Sequence, residues 1–182
     1  MTPPFIIELR SIVINLLIFM KAEIRDAQIH DVSIIQKIAQ ETWPHAYGSI
    51  LSAAQLKYML DALYAEHVLR QLIETQQQHF LLLTKDEIPL AFAAYGLLHH
   101  HTYKLHKLYI LPAHQGKGYG KKLIEEVIHR LREIRQTKLL LNVNRQNNAV
   151  EFYKKIGFRT IRNEDTPIGP FWMHDYLMQI KL

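Results

Sequence analysis

The stretch "HQGKGYGKKLIEEVI", residues 114–128, decides how the rest of the chain is read. Glycine stands at 116, 118 and 120, with Lys117 and Tyr119 between them and Lys121 and Lys122 after them. Glycines this dense remove Cβ atoms and let a backbone approach a ligand closely. The chain then turns apolar at helical spacing, with Leu123, Ile124, Val127, Ile128, Leu131 and Ile134 on one face of a helix opening near Gly118. A helix start presents unpaired N–H groups and about half a positive charge, which suits phosphate. G-x-x-x-x-G-K-[ST] is absent, so this is not a Walker loop. A dinucleotide fingerprint fits poorly as well, because the glycines come late and no acidic residue follows the next strand at the ribose position. On the glycines alone, a tight strand-to-helix turn without a ligand is the alternative.

Working outward, the glycine turn follows an apolar strand, "YKLHKLYIL" at 103–111, and Pro112. Two further strands precede it, "HFLLLT" at 79–84 and "PLAFAAYGLL" at 89–98, joined by the turn chemistry of "KDEIP". Near the start, "AEIRDA" alternates as a strand. Asp31 is placed to cap a helix carrying Ile34, Ile35, Ile38 and Ala39. "TWPHAYGSI", with Pro44 and Gly48, reads as a loop. Two short amphipathic helices follow, over 52–64 and 65–74. Beyond the long helix come a short apolar strand "KLLLNV" at 138–143, a helix "NAVEFYKKI" stopped by Gly157, and a final strand "DYLMQI" at 175–180. The order β, helices, three β, helix, β, helix, β is an α/β layered domain with a mixed sheet.

Composition narrows the function. The 182 residues fit one domain with a full core, and 48% of them are apolar. The net charge of +5 favours anionic ligands, but the basic residues are scattered and no Lys/Arg run suggests nucleic acid. With no cysteine, disulfides, thiolate chemistry and Cys–zinc sites are excluded. His99, His100 and His101 lie in a turn between two strands without metal-ligand spacing, so a solvated loop is expected and no metal site. "FIIELRSIVINLLIFM", residues 5–20, is interrupted by Glu8 and Arg10 and is too short between charges for a membrane span. A signal peptide's basic start and cleavage site are missing. Either residues 1–19 form an extension, or Met20 is the functional start and the domain runs over 20–182.

Two signatures now converge. "LYILPAHQGKGYGKKLIEEVI" resembles the Q/R-x-x-G-x-G/A acetyl-CoA motif of the GCN5-related N-acetyltransferase (GNAT) superfamily, with Gln115, Gly118 and Gly120 matching. "LNVNRQNNAVEFYKKIGF" resembles that superfamily's second signature, an Asn followed by A-x-x-F-Y-x-K-x-G-F. The resemblance covers about 21–182. It implies a GNAT-like single domain, with a mixed central sheet of about six to seven strands flanked by helices. A V-shaped cleft would open between the strands at 104–111 and 138–143. It implies acetyl-CoA as cosubstrate, with its pyrophosphate on the amides of Gln115, Gly116, Lys117, Gly118, Tyr119 and Gly120. The pantetheine arm would lie along Leu108, Tyr109 and Ile110 as an added strand.

The same resemblance makes Tyr153 the catalytic acid for the leaving thiolate, since a phenol with a pKa near 10 is protonated at neutral pH. Asn147 is the candidate polar contact in the second signature. Counted back from Tyr153, the usual Asn position falls on Gln146, as if the loop were one residue shorter here. Asn144 and Asn148 compete with Asn147, and a helix cap is the plain alternative. Lys155 is a candidate phosphate contact or a solvated helix lysine. Relatives often carry a glutamate base before the glycine loop; here Lys104 and His106 stand instead, and no base is assigned. The region 41–74 together with "GPFWMHDYLMQI" looks most like the spermine/spermidine acetyltransferase-like branch. That implies a cytoplasmic enzyme acting on a small primary amine or polyamine, with a homodimer left open. A polyamine site wants carboxylates; Asp61, Glu66, Glu164, Asp165 and Asp175 are available. A peptide α-amine, a protein lysine, an aminoglycoside or a non-catalytic CoA-binding role are the alternatives.

Overall fold

The computed structural model describes residues 22–99 and 101–182. The readings of residues 1–19, of Met20 as a start, and of His100 therefore lie outside the described residues. Among those described, no helix is long and apolar enough to cross a membrane.

Seven strands form one sheet: β1 (Ala22–Asp26), β2 (His79–Lys85), β3 (Ile88–His99), β4 (Thr102–Ile110), β5 (Lys138–Asn144), β6 (Arg159–Ile168) and β7 (Phe171–Lys181). The spatial order is β1-β2-β3-β4-β5-β7-β6. Every pairing is antiparallel except β4 with β5. The helices are α1 (Val32–Tyr47), α2 (Ala53–Tyr64), α3 (Glu66–Glu74), α4 (Tyr119–Glu133) and α5 (Ala149–Ile156). Alternate strand residues feed two cores. Leu81, Leu83, Ala93, Leu105, Leu139, Leu141 and Met178 meet α4 and α5 on one face. Phe80, Leu82, Phe92 and Ala94 meet α1–α3 on the other. Helix α4 buries Leu123, Ile124, Val127 and Leu131 fully, each worth about 1.5–3 kcal/mol of transfer free energy. Ile134, expected on that face, is 52% exposed beyond the helix end.

Four details depart from the sequence expectations. The segment 42–47 is the last turn and a half of α1, with Pro44 inside it, not a loop. Trp43 is buried against Tyr64 and Tyr109, and the Thr42 hydroxyl donates to Ile38 O at 2.7 Å, so packing holds the helix past the proline. Asp31 occupies the helix-cap position, but its carboxylate accepts from Arg25 through Nη1 and Nη2 at 2.7 and 2.8 Å and from Gln28 N at 2.8 Å. Those bonds hold its pKa below the usual carboxylate range, Arg25 being the main cause. Strand β6 has no counterpart in the apolar pattern, because it is an almost wholly exposed edge strand. It turns into β7 at Gly169, where φ is +57° and the Tyr58 hydroxyl of α2 occupies the place a Cβ would take. Strand β7 accordingly starts at Phe171, four residues before the expected Asp175.

The feature that positions everything else is in β4. Ala94 pairs with Lys107 and Tyr95 with Leu105, so His106 is one residue too many, a bulge that bends the strand. Strand β5 follows β4 only through Tyr103↔Leu139, Lys104↔Leu140 and Leu105↔Leu141. From His106 to Ile110 on one side, and from Asn142 to Asn144 on the other, the two strands part.

Candidate active site

Where β4 and β5 diverge, a cavity of about 660 Å³ opens. Leu105–Ile110 form one wall, and Asn142, Val143 and residues 146–149 the other. The end of α1, including His45, Ala46 and Tyr47, covers one mouth, and the loop into α4 closes the other. Of the residues singled out from sequence, Leu108, Tyr109, Ile110, Gln115, Gly116, Gly118, Tyr119, Gly120, Asn147 and Tyr153 all line this cavity.

The three glycines differ in kind. Gly116 and Gly118 have φ of +73° and +83°, the left-handed region, and an added Cβ on either would meet nothing within 4 Å. Their backbone faces open space at the start of α4. Gly120 is already helical and buried; a Cβ there would lie 3.0 Å from Phe152 Cζ and 3.3 Å from Ile110 Cδ1. Its small size lets α4 sit against α5 and β4. Gln115 Nε2 donates to Ile110 O at 3.1 Å, tying the loop back to β4. Lys117 turns away from the cavity, its Nζ donating to Ala113 O at 3.0 Å. Gly116, Gly118 and the first amides of α4 form a cradle that fits a pyrophosphate, and the unpaired edge of β4 fits an extended chain.

The second signature is only partly gathered there. Asn147 Oδ1 accepts from Ala149 N at 2.8 Å, capping α5, while its Nδ2 reaches Ala46 O at 3.4 Å. Asn148 makes no side-chain cap bond, and Asn144 Oδ1 accepts from Gln146 N. Lys155 lies in a neighbouring groove with Lys121, His129 and Arg132, sharing only Phe152 with the main cavity. Tyr153 is buried, edge-on to both Phe152 and Phe158. Burial and then the nearby Tyr47 hydroxyl push its pKa well up, so it holds its proton throughout the neutral range. Tyr109 carries its side chain to the other face, where its hydroxyl meets those of Tyr47 and Tyr64. His106 is pushed down to about 4 by burial and by Lys107 and Lys104, so it is a neutral imidazole and a weak base.

On the α1–α3 face, the sheet beyond the cavity carries a polar group that the sequence did not reveal. Asn142 Nδ2 donates to Glu164 Oε2 at 2.8 Å, and the amide also favours the charged form of the neighbouring Asp175. Asp175 pairs in register with Asn144 on β5 and Glu164 on β6, and is 7% exposed. Its Oδ1, and Asn142 Oδ1, are buried acceptors with no donor among the described residues. Burial, helped by Glu164, pushes Asp175 up to about 6 against the pull of Lys104, Asn142 and Arg145. Of the five carboxylates noted in the sequence, Asp61 and Glu66 pair with Lys57 and Arg70 on their own exposed helices. Glu164 joins Asp175 but also holds Arg162, whereas Asp165, the next residue on β6, pairs in register with His174 and holds Arg145 and His174. Asn142 was legible as a polar residue in an apolar strand; Tyr47 was hidden in the segment read as loop.

Residues 49–174 match the model of the acetyltransferase (GNAT) domain. The chain belongs to the GNAT acetyltransferase family. GNAT acetyltransferases take their acetyl group from acetyl-CoA, and this enzyme is one of them. It is 28% identical over 159 residues to the spermidine N(1)-acetyltransferase of Thermoplasma acidophilum, covering 85% of this chain and 96% of that protein. Its structure resembles the crystal structure of PaiA N-acetyltransferase from Thermoplasma acidophilum in complex with coenzyme A, with a TM-score of 0.79 and 27% identity over 90% of this chain and all of that one. A shorter match, 40% identical over 57 residues, links the GNAT chain to the ribosomal protein bS18-alanine N-acetyltransferase of Haemophilus influenzae, and spans 39% of that protein.

Proposed function

We propose that this GNAT enzyme transfers the acetyl group of acetyl-CoA to a small primary amine, a polyamine such as spermidine in particular. One observation carries the reading: two buried acceptors, Oδ1 of the cavity-lining Asn142 and Oδ1 of its neighbour Asp175, have no donor among the described residues. A buried acceptor without a donor costs about 1–3 kcal/mol, more when charged. An ammonium supplies the N–H groups and charge that this pair lacks. The spermidine acetyltransferase likeness over nearly the whole chain supports the same class.

In this reading the pyrophosphate rests on the amides of Gln115–Gly120, the pantetheine runs along Leu108, Tyr109 and Ile110, and Asn147 borders it. Lys117 and Lys155 stand outside the cavity and add positive potential around the phosphates. Tyr153 protonates the departing thiolate. Residues 20–182 are the acetyltransferase domain. The enzyme works in the cytoplasm on a small molecule rather than on nucleic acid.

Incubation with acetyl-CoA and spermidine, spermine or short alanine-headed peptides, with thiol release followed side by side, tests the acceptor. Polyamine turnover is expected. Peptide turnover with silent polyamines rejects the small-amine reading in favour of peptide N-termini.

A further inference from the structure

We propose that Asp175 accepts the proton that the acceptor ammonium must lose before it attacks, with Asn142 as the positioning residue that holds the ammonium against it. The inference rests on the amine-acetyltransferase reading but not on the identity of the amine. No glutamate stands on β4 before the glycine loop, and His106 at the bulge, pushed down by burial and by Lys107 and Lys104, is a poor proton acceptor. Asp175 does not itself line the cavity but stands next to Asn142, which does, and it is a buried carboxylate with an oxygen left over. It is 7% exposed, and its Oδ1 has no donor among the described residues. Tyr47 and Tyr153 both line the cavity, and Asp175 bears electrostatically on Tyr47 as Tyr47 does on Tyr153.

The step balances. The ammonium N–H bond breaks and its proton passes to the Asp175 carboxylate. The neutral amine forms the new C–N bond at the thioester carbonyl, and the C–S bond breaks. The thiolate takes the Tyr153 proton, and the second proton of the nitrogen restores the tyrosine. Asp175 releases its proton to solvent, leaving amide, thiol and one proton. Burial suits the carboxyl to this work. Pushed up to about 6 from an ordinary aspartate value, it makes proton transfer from an ammonium roughly 10²-fold less uphill, two pK units being two decades.

The charged and titratable groups facing Asp175 come from each neighbouring element: Lys104 on β4, Arg145 after β5, Glu164 on β6 and Tyr47 on α1. They give the test its sign. The acid side of kcat/KM, measured with whichever amine the wild-type full chain uses best, should rise with pH and level above about 6. Asp175→Asn should lower kcat by about 10²-fold, the lower end of general-base effects, and erase that inflection. Lys104→Met removes a cation that favours the carboxylate, so the inflection should move to higher pH; Glu164→Gln removes a repelling carboxylate, so it should move lower. The last two variants leave Asp175 in place and decide the matter even where Asp175→Asn does not fold. A folded Asp175→Asn enzyme with wild-type kcat and an intact inflection overturns the proposal, as does a loss confined to KM. An inflection that ignores both charge changes overturns it too. A wild type that acetylates only peptides sinks the polyamine reading alone, and the same profiles then test Asp175 on the peptide.

Discussion

Replacing Gly118 with valine separates ligand binding from folding. Gly118 has φ of +83°, and a side chain in the left-handed region costs about 1–2 kcal/mol. Nothing lies within 4 Å of the added Cβ, so no packing loss is added. For a chain of this size the strain should lower Tm by roughly 2–8 °C and leave the fold standing. The branched side chain would project into the space before the first amides of α4. A pyrophosphate displaced from two of those amides loses about 3 kcal/mol, taking ~1.5 kcal/mol for each charge-assisted bond. That corresponds to a coenzyme A affinity weaker by on the order of 10²-fold. Titration calorimetry of the folded variant reads the number directly. A folded Gly118→Val protein with wild-type affinity for coenzyme A would refute the placement of the pyrophosphate in this loop. Gly120 supplies the contrast. Alanine there meets Phe152 and Ile110 at 3.0 and 3.3 Å, so its effect should fall on stability before it falls on binding.

Tyr153→Phe should keep the ring's packing against Phe152 and Phe158 and leave coenzyme A affinity unchanged. Because burial raises this phenol's pKa, it is a reluctant donor, and turnover should fall by about 10²-fold, the lower end of general-acid effects; an unchanged kcat with chemistry rate-limiting makes it a packing residue. A chain of residues 20–182 should melt and turn over like the full chain, and a large loss of either assigns residues 1–19 to the working structure.

The glycine turn and the second signature were plainly legible in the sequence, because both are local: a strand, a glycine turn and a helix within thirty residues. What it hid was non-local. The group of Asn142, Glu164 and Asp175 exists only because β5, β7 and β6 stand side by side in a particular register, and no spacing along the chain announces that. Strand β6 was invisible for a different reason. "RTIRNEDTPI" buries almost nothing, so it has no alternation to read; backbone pairing to β7 alone makes it a strand. Pro44 misled in the opposite direction, a helix breaker overruled by the burial of Trp43 beside it. Gly120 was grouped with its neighbours by spacing, and only the approach of Phe152 shows that its smallness also serves packing.

The seam between β4 and β5 carries a consequence for the protein's lifetime. Three residue pairs join two half-sheets that are each well knit by antiparallel ladders. Under the proposed binding mode, the donor's extended arm stands in for a missing length of strand along that seam. Saturation is then a matter of endurance as well as catalysis. A ligand at a hundred times its Kd adds about 2.7 kcal/mol to folding. Molecules without a bound donor forgo that increment, so the supply of acetyl-CoA would bear on how much enzyme persists as well as on how fast it turns over.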